Sequence, residues 1–450
     1  MNRASTLDTL LAQERTRFVH THPRSMALAQ AAEAHFLFGV PLHWMRDWPS
    51  PATLFVQQAQ GTALTCADGL TYRDFCLGDT GAMFGHSPAP VAQAIAQQAA
   101  QGLTCMLPST LAPRVGRLLQ ERFGLPLWQM TLTASDANRF VLRWARAITR
   151  RPQLLVFDGC YHGAVDDTLV DLDPASGRTL PRPSVLGQVH NHDAFTRVVP
   201  FNDLSALEAA LAPGDVALLL AEPALTNFGL VPPQPGFWEA AQALCRRHGT
   251  LLVLDETHTL SSGVGGYTRA HGLRPDLWVA GKAVAGGLPC AVYGFTEEVG
   301  QRMREAKTAA PEGHSGIGTT LSANALTLAA LHAALEHLHT PATYVHMLDT
   351  AQTLEAGLMQ RIHAAGRPWT VTRLGARMEL QFMPQTPRHA QDVRDFGQPA
   401  LEAFTHLFML NRGVLLTPFH SMMLCSPATS AQDVQALLDA FDELLDVLPR

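Results

Sequence analysis

The chain has 450 residues, 47% of them apolar and 16% charged, with a formal net charge of −6 at pH 7. That composition builds a globular protein with a large core, and it supplies neither the basic stripe that nucleic acid needs nor an apolar run long enough for a membrane span. Seven scattered cysteines without a C-x-x-C pair point to reduced thiols in a cytoplasm, and the length allows two or three domains or lobes.

The opening stretch, MNRASTLDTLLAQERTRF, spaces its apolar positions with charges, so it predicts an amphipathic helix rather than a signal peptide, with Ser5 and Asp8 in capping-box spacing. A hairpin is predicted in LFVQQAQGTALTCADGLTYRDF, where Asp68-Gly69 is the turn signal. Further on, three apolar runs share one design: LLVF before Asp158, ALLLA before Glu222 and LLVL before Asp255. Such short runs suit strands buried on both faces of a parallel sheet. Helical patterns lie between them (DLSALEAALA, FWEAAQALCRRHG), so the region reads as an α/β sheet, which binds ligands beyond the carboxyl ends of its strands. Three acids in succession at that edge suggest a lined crevice. From about Thr320 the helical pattern SANALTLAALHAALEHLH leaves the sheet region. A smaller lobe with short strands such as GVLLTPF follows it. The expected division is an N-terminal segment over 1–75, a large domain over 76–318 and a small domain over 319–450.

The chain holds two lysines, Lys282 and Lys307, among 33 basic residues. Lys307 has a polar setting and reads as a surface charge. Lys282 lies in AGKAVAGGLP, small and apolar, where an amine can lose its proton and attack a carbonyl as arginine cannot. The alternative, an ammonium reaching solvent from a loop, stays open on this segment alone. Asp255 stands 27 residues earlier at a strand end, where a carboxylate can pair with a cationic ring nitrogen. In TLTASDANRF, Ser135 looks like the N-cap of a helix, a ready anion site or simply a capped helix. Tyr161 and His162 in DGCYHG can stack on a planar ring and hydrogen-bond nearby, or merely pack. His190 and His192 lack a third ligand at metal spacing, so no metal is expected and a solvated loop is read there. GVGG at Gly263 lacks the full dinucleotide fingerprint.

Together these pieces resemble the class III (fold type I) pyridoxal-phosphate (PLP) aminotransferases, in the glutamate-1-semialdehyde aminomutase branch, from about residue 35 to the end. The motifs are Asp255-Glu256 followed by AGKAVAGGLP, then CYHG, Glu222-Pro223 with Asn227, and TTLSANALTLAA. The resemblance implies a large domain with a mostly parallel sheet flanked by helices, and a smaller α+β lobe built from the N- and C-terminal segments. It implies that Lys282 forms the Schiff base with PLP and shuttles a proton, and that Asp255 holds the ring nitrogen protonated. Ala134 and Ser135 would bind the phosphate, Tyr161 and Thr257 would face the ring, and Asn227 would lie near the phenolic oxygen. Thr320 would reach the cofactor of a second subunit, making a homodimer with shared sites. The chain departs from the family at TASDA, at Thr257 and His258 after Asp255-Glu256, at Thr319, and at LSANA. His258 is a titratable replacement that can donate to the phenolic oxygen.

For the substrate, the loop GVPLHWMRDWPSP offers Arg46 between Trp44 and Trp48. Met83 and Phe84 in LGDTGAMFGHSP would line a second loop, with His162 nearby. An apolar pocket of this kind favours a hydrophobic amine or β-amino acid. Arg412 reads as exposed just before a strand. The leading expectation is a PLP-dependent transaminase passing nitrogen from an amine or amino acid to a keto acid. The alternatives are an intramolecular aminomutase and a non-catalytic dimer of the same fold.

Overall fold

The computed structural model describes residues 3–189 and 191–449, residues 3–6 by backbone alone. The chain divides into two compact units. One comprises Met1–Pro88, Val345–Thr386 and Phe396–Arg450; the other comprises Ala89–Tyr344 and Pro387–Asp395.

The second unit is built on seven strands: β1 (Leu127–Thr131), β2 (Gln153–Phe157), β3 (Thr196–Val199), β4 (Val216–Ala221), β5 (Leu251–Asp255), β6 (Leu277–Ala280) and β7 (Ala291–Phe295). They lie in the order β1-β7-β6-β5-β4-β2-β3. Only β7 runs against the others, pairing antiparallel with β1 and β6. Every residue of β4 and β5 is buried, as strands covered by helices on both faces require. The predicted helices are Leu204–Leu211, capped by the Asp203 side chain, and Phe237–His248, ended by Gly249 at φ +63°. The helix Ala325–His337 belongs to this unit and not to the small lobe expected beyond 318. It is mostly apolar, with Leu328, Leu331 and Leu335 buried, and it packs against the helices Ala89–Ala99 and Ala112–Phe123.

The first unit carries two sheets. Val56–Gln60, Ala63–Cys66 and Thr71–Asp74 form an antiparallel meander, one strand more than the expected hairpin, with Gly69 at φ +81° in the predicted turn. The short strand Val414–Leu415 joins it in parallel. Thr370–Leu374, Arg377–Gln381 and Met422–Leu424 form the second sheet, over a core that includes Leu354, Phe404, Phe408 and Phe441. The N-terminal helix spans Arg3–Thr21. Ser5 is thus already inside it, and its side chain lies outside the described residues. Arg412 is not exposed: its half-buried guanidinium pairs with Glu14 at 3.1 Å and with the exposed Glu443 at 2.7 Å.

Candidate active site

The three strand-end acids stand on neighbouring strands, since β5, β4 and β2 are adjacent in the sheet. They do three different things. Asp158, after β2, takes both guanidinium branches of Arg394 at 2.6 and 3.0 Å, while Arg394 lies 4.7 Å over the Phe228 ring. Its role is to hold the 387–395 segment within this unit.

Asp255, at the end of β5, is buried and surrounded by donors. Its Oδ2 accepts from Asn138 Nδ2 at 2.8 Å and lies 3.0 Å from His162 Nδ1; its Oδ1 accepts from the Thr257 hydroxyl at 2.6 Å and amide at 3.1 Å. Burial works against this carboxylate, but His162 and these donors outweigh it and hold the carboxyl below its usual range. His162 moves the other way. Burial opposes its charged form, yet Cys160 and Asp255 push it up to about 10. At neutral pH the two therefore form an ion pair without net charge, in which the His162 cation keeps Asp255 ionised at the sheet's carboxyl edge.

The Thr257 hydroxyl also accepts the N–H of Gly281 at 3.2 Å, so one residue ties Asp255 to the lysine loop. Lys282 follows at φ +48°, in the left-handed region that an ordinary side chain avoids. It opens the single turn Lys282–Ala285. Its Nζ lies 2.6 Å from His258 Nε2, and His258 Nδ1 lies 2.7 Å from the hydroxyl of Thr226. Thr226 in turn donates to Glu222 Oε2, while Glu222 Oε1 accepts the Tyr161 amide at 3.1 Å.

The helix Ala134–Thr149 begins at the carboxyl end of β1, and its N-cap is Thr133, not Ser135: the Thr133 hydroxyl accepts from the Asp136 amide. Ser135 is the second residue past that cap, which leaves the N–H groups of Ala134 and Ser135 ahead of the first bonded ones. Two glycines bring backbone against this start. A Cβ at Gly163, φ +82°, would fall 2.1 Å from Ser135 Oγ, and one at Gly281 would fall 2.9 Å from the Ala134 methyl. Ser135 Oγ accepts the Ala164 amide at 3.0 Å. The result is a cradle of amides and a hydroxyl at a helix N-terminus, suited to an oxyanion.

Of the residues singled out in the sequence, Lys282, Asp255, Thr257, His258, His162, Ala134 and Ser135 meet at one edge of one sheet. His162, expected at the substrate side, is instead buried on Asp255. Thr226, not Asn227, makes the contact with His258. Tyr161 is 42% exposed and Thr320 is exposed in the loop before the helix Ala325–His337. Trp44, Arg46, Trp48, Met83 and Phe84 belong to the other unit. There Arg46 lies 5.7 Å over the Phe38 ring, Trp48 packs edge-on to His406 at 5.3 Å, and Met83 and Phe84 are buried. Sequence reasoning missed Asn138, whose signal was a polar residue three positions after Ser135 on an otherwise apolar helix face. It also missed Thr226, hidden beside the more familiar Asn227. His190 lies outside the described residues. His192 is buried, not solvated. Among the described residues no three metal-ligating side chains cluster, and no helix is long and apolar enough to cross a membrane.

Comparison with known proteins bears on what such a site serves. A glutamate-1-semialdehyde 2,1-aminomutase from Sorangium cellulosum (strain So ce56) is 35% identical over 87% of this chain and 89% of its own length. The crystal structure of a glutamate-1-semialdehyde aminomutase from Pseudomonas aeruginosa PAO1 superposes with a TM-score of 0.97 at 46% identity over 99% of both chains. A lysine-to-alanine form of that protein is known in complex with PMP. An omega-transaminase from Sphaerobacter thermophilus is more distant, with a TM-score of 0.86 at 27% identity over 96% of this chain and 99% of that one. The central sheet and its helices are those of the fold type I PLP transferases. The pattern described as "Aminotransferase class-III" matches residues 45–445, and this chain belongs to that family.

Proposed function

We propose that the protein is a PLP-dependent aminomutase of the glutamate-1-semialdehyde type, moving an amino group between neighbouring carbons of one molecule. The observation that carries this reading is the 46% identity across 99% of both chains with a structure of that activity. It displaces the intermolecular transaminase expected from the sequence, which rests on relatives such as the omega-transaminase at 27% identity.

The residues fit the cofactor on their own chemistry. A primary amine, a buried ionised carboxylate and a helix-start cradle, closed by two glycines that leave no room for a Cβ, lie on one sheet edge. Bound there, PLP supplies a carrier for nitrogen and a sink for the electrons released at a substrate carbon. Lys282 provides the amine that joins the cofactor and moves the proton at the substrate carbon. Asp255, kept charged by His162, holds a proton on the ring nitrogen. The amides of Ala134 and Ser135 and the Ser135 hydroxyl hold the phosphate, while Tyr161 and Thr257 face the ring. His258 and Asn227 serve the phenolic oxygen.

The remaining assignments rest on the resemblance. Thr320 reaches the cofactor of a second subunit, so the working form is a homodimer with shared sites. Trp44, Arg46, Trp48 and Phe84 contact substrate. All seven cysteines are free, in keeping with a reducing cytoplasm.

The test is incubation of the PLP-loaded protein with glutamate-1-semialdehyde and no added keto acid. Formation of 5-amino-4-oxopentanoate supports the aminomutase. Turnover only when a separate amine and keto acid are supplied assigns the transaminase instead, and inertness in both assays assigns a non-catalytic relative.

A further inference from the structure

Behind Lys282 lies a row of buried polar groups, His258, Thr226 and Glu222, of which the last two have no part in the cofactor chemistry above. Thr226 is 1% exposed, Glu222 3% and His258 4%. The direction of each hydrogen bond in the row follows from the ones beside it. Thr226 has a single hydroxyl proton and gives it to Glu222 Oε2. Its oxygen therefore accepts at 2.7 Å from His258, which places that ring's proton on Nδ1. In the neutral ring Nε2 then holds the lone pair, 2.6 Å from Lys282 Nζ and able to accept a proton from it.

We propose that Lys282, His258, Thr226 and Glu222 form a proton relay that strips the Lys282 ammonium to a free amine and later returns its proton. The proposal rests on the reading of Lys282 as the amine that joins PLP. In the forward shift one Nζ proton passes to His258 Nε2, the Nδ1 proton passes to Thr226 Oγ1, and the hydroxyl proton passes to Glu222 Oε2. An ammonium and a carboxylate become an amine and a carboxylic acid. No net charge is created, and nothing leaves the protein. His258 touches the reacting amine; Thr226 and Glu222 act through it as positioning residues.

Two further features support a proton terminus at Glu222. Burial pushes its carboxyl up, with His162 and the Thr226 hydroxyl opposing and Asp255 adding to the rise, the direction that a proton acceptor at the end of the row needs. Its second oxygen is fixed by the Tyr161 amide, which keeps Oε2 aimed at Thr226. The sequence carries the same idea: His258 stands where the resembling family usually has glutamine or methionine, neither of which relays a proton.

The experiment uses apoprotein and free PLP, so it reads adduct formation and not turnover. The rate of Lys282 adduct formation is followed by absorbance in H2O–D2O mixtures, and the site is verified by borohydride reduction and peptide mapping. The relay predicts a curved dependence on deuterium fraction, the mark of several protons moving together. Thr226→Val and Glu222→Gln should each give a straight line and slow the step on the order of 10²-fold, while Thr226→Ser restores both rate and curvature. Glu222→Gln keeps the shape of the site, which guards against a Thr226→Val protein that fails to fold. A straight line for the wild type, or curvature retained in Glu222→Gln, overturns the relay while leaving Lys282 as the PLP lysine. Absence of any adduct at Lys282 overturns the relay together with the reading beneath it.

Discussion

His162 Nδ1 lies 3.0 Å from Asp255 Oδ2, and both side chains are almost wholly removed from solvent. A lone carboxylate at that depth would be driven towards its neutral form. The imidazole reverses the outcome, and Asn138 and Thr257 complete the shell. Asp255 thus stays charged through a neighbour that sequence alone places elsewhere, as the proposed PLP site requires.

Removing one member of this pair should cost far more than a surface ion pair would. Asp255→Asn leaves a buried cation without its partner, a change worth about 3–5 kcal/mol. We expect a markedly lower urea midpoint for the apoprotein and loss of turnover in the loaded enzyme. A midpoint within error of the wild type would refute the ion-pair description.

The pH dependence has a definite sign. His162 is raised on folding from the ordinary 6.5 to about 10, so its contribution is complete below about pH 6.5 and is lost as pH climbs towards about 10. Asp255 is lowered on folding, so its contribution is present above about pH 4 and lost as pH falls through its folded value. Differential scanning of wild-type and His162→Gln apoproteins should therefore show the wild-type advantage full near pH 6 and closing at alkaline pH. An advantage that grows with pH contradicts the assignment.

Gly163 tests the cradle. An alanine there meets Ser135 Oγ at 2.1 Å and must hold φ +82°, so either the 163–164 backbone or the helix start has to shift. Gly163→Ala should weaken PLP binding by roughly 10-fold or more, equivalent to about 1.4 kcal/mol, measured by cofactor titration of the apoprotein. Unchanged affinity would show that Ser135 and the amides beside it do not bind the phosphate.

Much of this architecture is legible in the sequence for physical reasons. The runs ending at Asp158, Glu222 and Asp255 are apolar on both faces because their strands sit between helix layers, and their order predicts neighbouring strands. Lysine is so scarce in this chain that Lys282 stands out. What was not legible is partner choice across the fold. Nothing near Asp158 in the sequence announces Arg394, more than two hundred positions away. His162 follows an aromatic and reads as a substrate contact until the fold turns it onto Asp255. Likewise the apolar helix Ala325–His337 reads as the start of a new lobe, because local pattern reports that a helix is buried but not against what.

Lys282 is proposed as the amine that carries PLP, and the chain's two lysines make the decisive measurement simple. The purified protein is mixed with PLP, its visible spectrum recorded, and the adduct reduced with borohydride and mapped by mass spectrometry. The expected result is a yellow protein with one phosphopyridoxyl group on Lys282 and none on Lys307, and a colourless Lys282→Arg variant with an unchanged circular dichroism spectrum. A label on Lys307, or a yellow Lys282→Arg protein, would contradict it.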